Sequence, residues 1–113
     1  MSLRPFHLAI PVDNLEKARQ FYRDILHLPE GRSSDHWVDF NFYGHQLVIH
    51  YKENKNASNA TNNEVDGKAV PVPHFGVVLT WEDFHCLAAS ISSKVTFIIA
   101  PYIRFEGKAG EQA

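Results

Sequence analysis

Seven of the 113 residues are histidines: His7, His27, His36, His45, His50, His74 and His85. Two of them open matching stretches. His7 begins the run His7-Leu8-Ala9-Ile10-Pro11-Val12-Asp13, and His74 begins His74-Phe75-Gly76-Val77-Val78-Leu79-Thr80. In each, a histidine leads an apolar run and a helix-capping residue, Asp13 or Thr80, follows six positions on. The two histidines stand 67 residues apart, which reads as an internal duplication. If the repeats pair about a pseudo-twofold axis, equivalent strands lie side by side and the imidazoles face one cleft. His50, at the end of a hairpin strand, could project into the same cleft. Three neutral imidazoles suit a divalent first-row metal, at bond lengths of about 2.0–2.2 Å.

A single histidine in a strand is more often a hydrogen-bonded structural residue than a ligand. Two at equivalent places in a repeat are harder to assign to packing alone. The other histidines carry less. His45 falls at a turn and His36 before a strand, both expected to face solvent, while His27 and His85 are expected at helix surfaces. Cys86 reads as a small packing residue rather than a nucleophile. Other chemistries find no support: no Gly-rich phosphate loop follows a strand, and there is no Gly-x-Ser-x-Gly elbow. Glu106 and Glu111 lack the placement of a glycosidase pair.

The elements that must position these residues follow from periodicity. Residues 5–12 form a first strand. Asp13 caps a helix, with Glu16 completing a capping box. Leu15, Ala18, Tyr22, Ile25 and Leu26 make one apolar stripe along it, and Pro29 and Gly31 end it. A short strand near 30–35 is possible. Residues 36–43 and 46–51 form a hairpin turning at Gly44-His45, with Leu47 and Ile49 on one face and Gln46, Val48 and His50 on the other. Residues 53–73 are polar and Asn-rich and read as a linker loop. The second half repeats the first: a strand from His74 to Leu79, a helix capped by Thr80 with Asp83 at the third position, and a strand from Val95 to Ala100. Phe84, Leu87, Ala88 and Ile91 form that helix's stripe. The duplication calls for about two more strands than the sequence supplies.

Composition narrows the remaining choices. The length suits one domain with a modest core. Hydrophobic residues make up 44% and charged residues 21%, with a net charge of −2 and no basic block, so nucleic acid is not an expected partner. No apolar run approaches the roughly 20 residues that span a bilayer, and no signal peptide is visible, so a cytoplasmic location without membrane partners is expected. One cysteine excludes an intramolecular disulfide. Asn56-Ala57-Ser58 and Asn59-Ala60-Thr61 match the glycosylation pattern but carry little without a secretory signal.

The stretch "HLAIPVDNLEKARQFYRDIL", with its histidine, capping Asp and Phe-Tyr pair, resembles the usual opening of the vicinal oxygen chelate superfamily. That group includes glyoxalase I, extradiol ring-cleaving dioxygenases and bleomycin-resistance proteins. "GRSSDHWVDFNFYGHQLVIHY", "VPVPHFGVV" and "PYIRFEGKAGEQA" look closest to extradiol-type dioxygenases, and the resemblance covers essentially the whole chain. It implies an α+β fold of paired βαβββ modules, with module one at 1–52 and module two at 74–113, the second truncated at its C-terminal strands. It implies His7 and His74 as metal ligands. His50 stands where the glyoxalase branch has a Glu, which weakens a glyoxalase assignment. The family's final Glu ligand has no clear counterpart, and Glu111 precedes the strand that would carry it.

Fe(II) is the metal implied, held by two histidines and a carboxylate in a facial triad, with Mn, Ni, Co and Zn also compatible. The expected function is a metal-dependent enzyme, extradiol-type, acting on a small substrate with two neighbouring oxygens, with Tyr102 as a polar group over the cleft. A glyoxalase-like lyase or isomerase is one alternative. A non-catalytic protein that sequesters an aromatic ligand is another, with a pocket of residues such as Trp37, Phe40, Phe42 and Tyr51. An unpaired sheet edge leads to the expectation of a homodimer, with exchanged elements among the options.

Overall fold

Side chains that alternate between the two faces of three strands show how the first half of the chain is built. In β1 (His7–Val12), Leu8, Ile10 and Val12 turn to one face while His7, Ala9 and Pro11 turn to the other. β3 (Trp37–Phe42) and β4 (His45–Tyr51) form the expected hairpin. Across the strands, Leu8, Leu47 and Phe40 form one apolar row, and Ile10, Ile49 and Val38 form the next. Phe40, Leu47, Ile49 and Val38 are fully enclosed, and each such side chain contributes about 1.5–3 kcal/mol by leaving water. β2 (Glu30–Ser33) completes a four-stranded sheet in the order β1-β4-β3-β2, in which only the β1–β4 pair is parallel.

Residues 3–53, 61–65 and 68–113 are described in this computed structural model. The chain divides into two compact units, Met1–Ala57 and Ser58–Ala113.

In the first unit α1 (Leu15–Gln20) runs on into a π-helical turn, Phe21–Ile25. Its stripe of Leu15, Ala18, Tyr22 and Leu26 packs on the sheet's apolar rows. The cap is one residue later than the sequence suggested. Asn14 Oδ1, not Asp13, accepts the Lys17 N–H at 2.9 Å. Asn and Asp cap equally well, so type alone does not choose between neighbours. The helix ends at His27, whose φ of 57° breaks the helical path ahead of Pro29. The hairpin turn is Tyr43-Gly44, both at positive φ, and His45 already belongs to β4 opposite Phe42. Positive φ at both central residues is the turn that matches strand twist.

The helix is tied to β2 by an ion pair. Arg19 Nε donates to Glu30 Oε2 at 3.1 Å, its Nη2 donates to the other carboxylate oxygen, and Arg23 lies 3.9 Å away. The Arg19 hydrogen bond holds the Glu30 carboxyl below the usual glutamate range.

The second unit departs further from expectation. Within the stretch read as a linker, β5 (Thr61–Val65) and β6 (Lys68–Val72) form an antiparallel hairpin. Residues 54–60 and 66–67 of that stretch, and with them Asn56 and Asn59 of the two Asn-x-Ser/Thr sites, lie outside the described residues. His74–Leu79 and Val95–Ala100, expected as strands, are not strands. A strand exists only as a hydrogen-bonded partner, and among the described residues of this unit β5 and β6 pair with each other alone. α2 (Trp81–Ile91) forms as expected, its first turn capped by Thr80 Oγ1 accepting the Asp83 N–H at 3.1 Å. Beyond it, Arg104 and Gln112 form an isolated antiparallel bridge around a loop with positive φ at Phe105, Gly107 and Gly110. Among the described residues, no helix is long and apolar enough to cross a membrane.

Candidate functional site

The sheet face opposite α1 carries three cross-strand rows. His7, Gln46 and Asn41 form the first, Ala9, Val48 and Asp39 the second, and Pro11, His50 and Trp37 the third. His7 and His50 therefore share a face, as the strand pattern suggested. They do not meet. His50 pairs with Pro11, four residues along β1 from His7, which is about 13 Å at the rise of a strand. One ion with bonds near 2 Å is not bridged by imidazoles from rows so far apart. The neighbour of His7 is Gln46, whose Oε1 lies 2.8 Å from His7 Nδ1.

That contact fixes the ring. An amide oxygen only accepts, so Nδ1 carries the proton and the neutral ring keeps its lone pair on Nε2. His74 has the same arrangement by a different route. Its Nδ1 lies 2.7 Å from the carbonyl oxygen of Pro71, the penultimate residue of β6. A carbonyl also only accepts, so His74 too presents Nε2 as an acceptor. Metal-binding histidines are held in this way, with the second ring nitrogen donating to an oxygen that sets tautomer and orientation. His45 is the contrast. Its Nδ1 accepts the Phe6 N–H at 2.7 Å, so from a half-buried position it braces the chain entering β1.

Among the described residues, no group of three or more His, Cys, Asp or Glu side chains is placed to hold a metal ion. Within the first unit, His50 does not join His7 at a common ion.

Each unit has its own concavity. In the first, a groove of about 760 Å³ runs between the end of β1 and α1, bounded by Asp13, Lys17, Phe21, Tyr22 and Lys52; neither His7 nor His50 reaches it. In the second, a cavity of about 640 Å³ lies beneath α2 and brings His74, Tyr102 and Arg104 to its wall. The structure thus joins two residues the sequence singled out, His74 and Tyr102, and adds Arg104. The expected aromatic pocket does not form as a set. Phe40 and Phe42 belong to the packing under α1, whereas Trp37 lies on the opposite face beside His50.

Sequence reasoning missed Gln46 and Arg104. Gln46 matters only through the register that places it beside His7, and no periodicity announces a register between strands 39 residues apart. Arg104 stands alone in an irregular stretch without a motif.

Comparison with known proteins agrees with this fold. Residues 4–109 match the family model described as the Glyoxalase/Bleomycin resistance protein/Dioxygenase superfamily. The chain belongs to that superfamily. A solved glyoxalase/bleomycin resistance protein/dioxygenase from Alicyclobacillus acidocaldarius is 29% identical with a TM-score of 0.69, over 96% of this chain and 76% of that one. Two further structures share the fold. An integron cassette protein from the Halifax Harbour sewage outfall metagenome is 23% identical, with a TM-score of 0.59 over 80% of this chain and 70% of its own. Lactoylglutathione lyase from Agrobacterium tumefaciens is 16% identical, with a TM-score of 0.51 over 82% and 71%. No functionally curated protein matches the chain. The superfamily's description spans enzymes and resistance proteins alike, so membership leaves the activity open to argument from the site.

Proposed function

We propose that the protein is a metal-dependent enzyme of this superfamily, of the extradiol dioxygenase type, with His7 and His74 as ligands of a divalent metal, Fe(II) foremost. The observation that carries this reading is the shared tautomer. Each imidazole gives its Nδ1 proton to a fixed oxygen, Gln46 Oε1 at 2.8 Å and Pro71 O at 2.7 Å, and each keeps Nε2 for a ligand bond. When bound, the metal would hold two neighbouring oxygens of a small substrate and, as Fe(II), activate O₂. The chain's own contribution is positional. Gln46 and the Pro71 carbonyl orient the imidazoles, and Tyr102, on the same cavity wall as His74, offers a hydroxyl to a bound substrate.

The test is O₂ consumption with a panel of catechols after anaerobic loading with Fe(II). Uptake that follows catechol concentration and disappears in His74→Ala supports the reading. Stoichiometric iron without uptake on any catechol rejects the dioxygenase step and leaves a metal protein of other activity.

A second reading, a non-catalytic protein that binds a small molecule, is favoured by the cavity of the second unit, whose wall is mostly apolar.

A further inference from the structure

We infer that the cavity of the second unit binds an aromatic monocarboxylate, anchored by Arg104. This deepens the binding-protein reading and does not depend on metal at His7 or His74.

Helix α2 supplies Phe84, Leu87 and Ile91 to one side of the cavity, and Phe97 and Ile99 line it as well. Its volume of about 640 Å³ falls within the range of small-molecule sites. Walls of this kind, with several phenyl rings, favour a flat apolar body. Among the described residues that line it, one is a cation. Arg104 lines the cavity, and its Nε is shielded from solvent yet has no hydrogen-bond partner among the described residues. Buried donors without partners are rare in folded proteins, and a guanidinium donor is the most demanding of them.

The guanidinium is also held in place. Its Cζ sits 5.3 Å from the centre of the Phe105 ring, and the backbone of Arg104 is bridged to Gln112 in both directions. A preorganised planar fork beside an apolar chamber is matched by a carboxylate, which takes two parallel N–H bonds. Arg104 is not itself ion-paired across that space, because the salt bridges among the described residues involve only Arg19, Arg23 and Arg32.

The experiment uses the full chain, stripped of metal by a chelator and desalted. Calorimetric titration compares 1-naphthoate and benzoate with the neutral isostere 1-naphthamide. The expected result is saturable binding, with naphthoate tighter than benzoate and the amide at least tenfold weaker than the acid, since a charged partner is exchanged for a neutral one. Arg104→Gln is expected to weaken naphthoate at least tenfold and leave the amide unchanged, with Arg104→Lys between the two. Equal affinity for acid and amide in the parent protein overturns the proposal without reliance on any variant. So does the absence of saturable binding at millimolar ligand. Metal content plays no part in the readout, so failure of the metal reading leaves this result interpretable.

Discussion

The two units begin from nearly the same sequence pattern and end differently. His7–Val12 becomes a strand because β4 lies parallel to it, and Leu8 and Ile10 then enter apolar rows with Leu47 and Ile49. His74–Leu79 has a similar apolar run and a helix cap, Thr80, directly after it, yet it is no strand, and Val78 is 99% exposed. Every buried hydrophobic residue among those described lies in the first unit, and α2 buries none of its side chains completely. An apolar run is thus a capacity to pair. Whether a strand forms depends on a partner that the run itself does not contain.

The contrast breaks first if the units prove equally dependent on their apolar residues. Ile49→Ala removes a fully enclosed side chain and is expected to cost about 3 kcal/mol, in line with buried Ile truncations, while Leu87→Ala on the half-exposed stripe of α2 costs about 1 kcal/mol or less. Urea unfolding of both variants gives the two numbers, and comparable losses would dissolve the distinction. Amide hydrogen exchange sharpens it further. Amides of Leu47, Val48 and Ile49, in a strand flanked on both sides, are expected to be among the slowest, and those of Gly76 to Leu79 to exchange much faster.

How far the fold was legible tracks the same division. In the first unit, side-chain period and turn residues act locally, and each has a partner within a few dozen residues, so the hairpin, the helix stripe and the order of elements could be read directly. What failed there was fine placement. Asp13 and Asn14 are both good caps, and Tyr43 gave no hint of accepting positive φ. In the second unit the polar composition of 53–73 hid the hairpin of β5 and β6. The candidate site was half legible. His7 and His74 stood out by repetition, but Gln46, the Pro71 carbonyl and the distance from His7 to His50 depend on register.

Smaller effects refine the first unit's account. Asn14→Ala is expected to cost about 1 kcal/mol and Asp13→Ala close to nothing in thermal unfolding; the reverse order would restore the cap to Asp13. The Arg19–Glu30 pair sets a pH dependence. Because Arg19 lowers the folded-state Glu30 pKa, the unfolded chain binds the extra proton first as pH falls. The pair's contribution is therefore present above the unfolded value near 4.5 and is lost below it as pH drops through the folded value. It is expected to amount to about 0.5 kcal/mol, as for a partly exposed pair, and Glu30→Gln should flatten that part of the stability profile.

Elemental analysis of the purified protein, beside His7→Ala and His74→Ala, tests the central claim most directly. The shared tautomer of the two imidazoles leads to one divalent metal per chain in the parent, restored by Fe(II) after chelation and lost in either variant. Metal retained in full by both variants, or a parent that takes up none from Fe(II), Mn(II) or Zn(II), would contradict it.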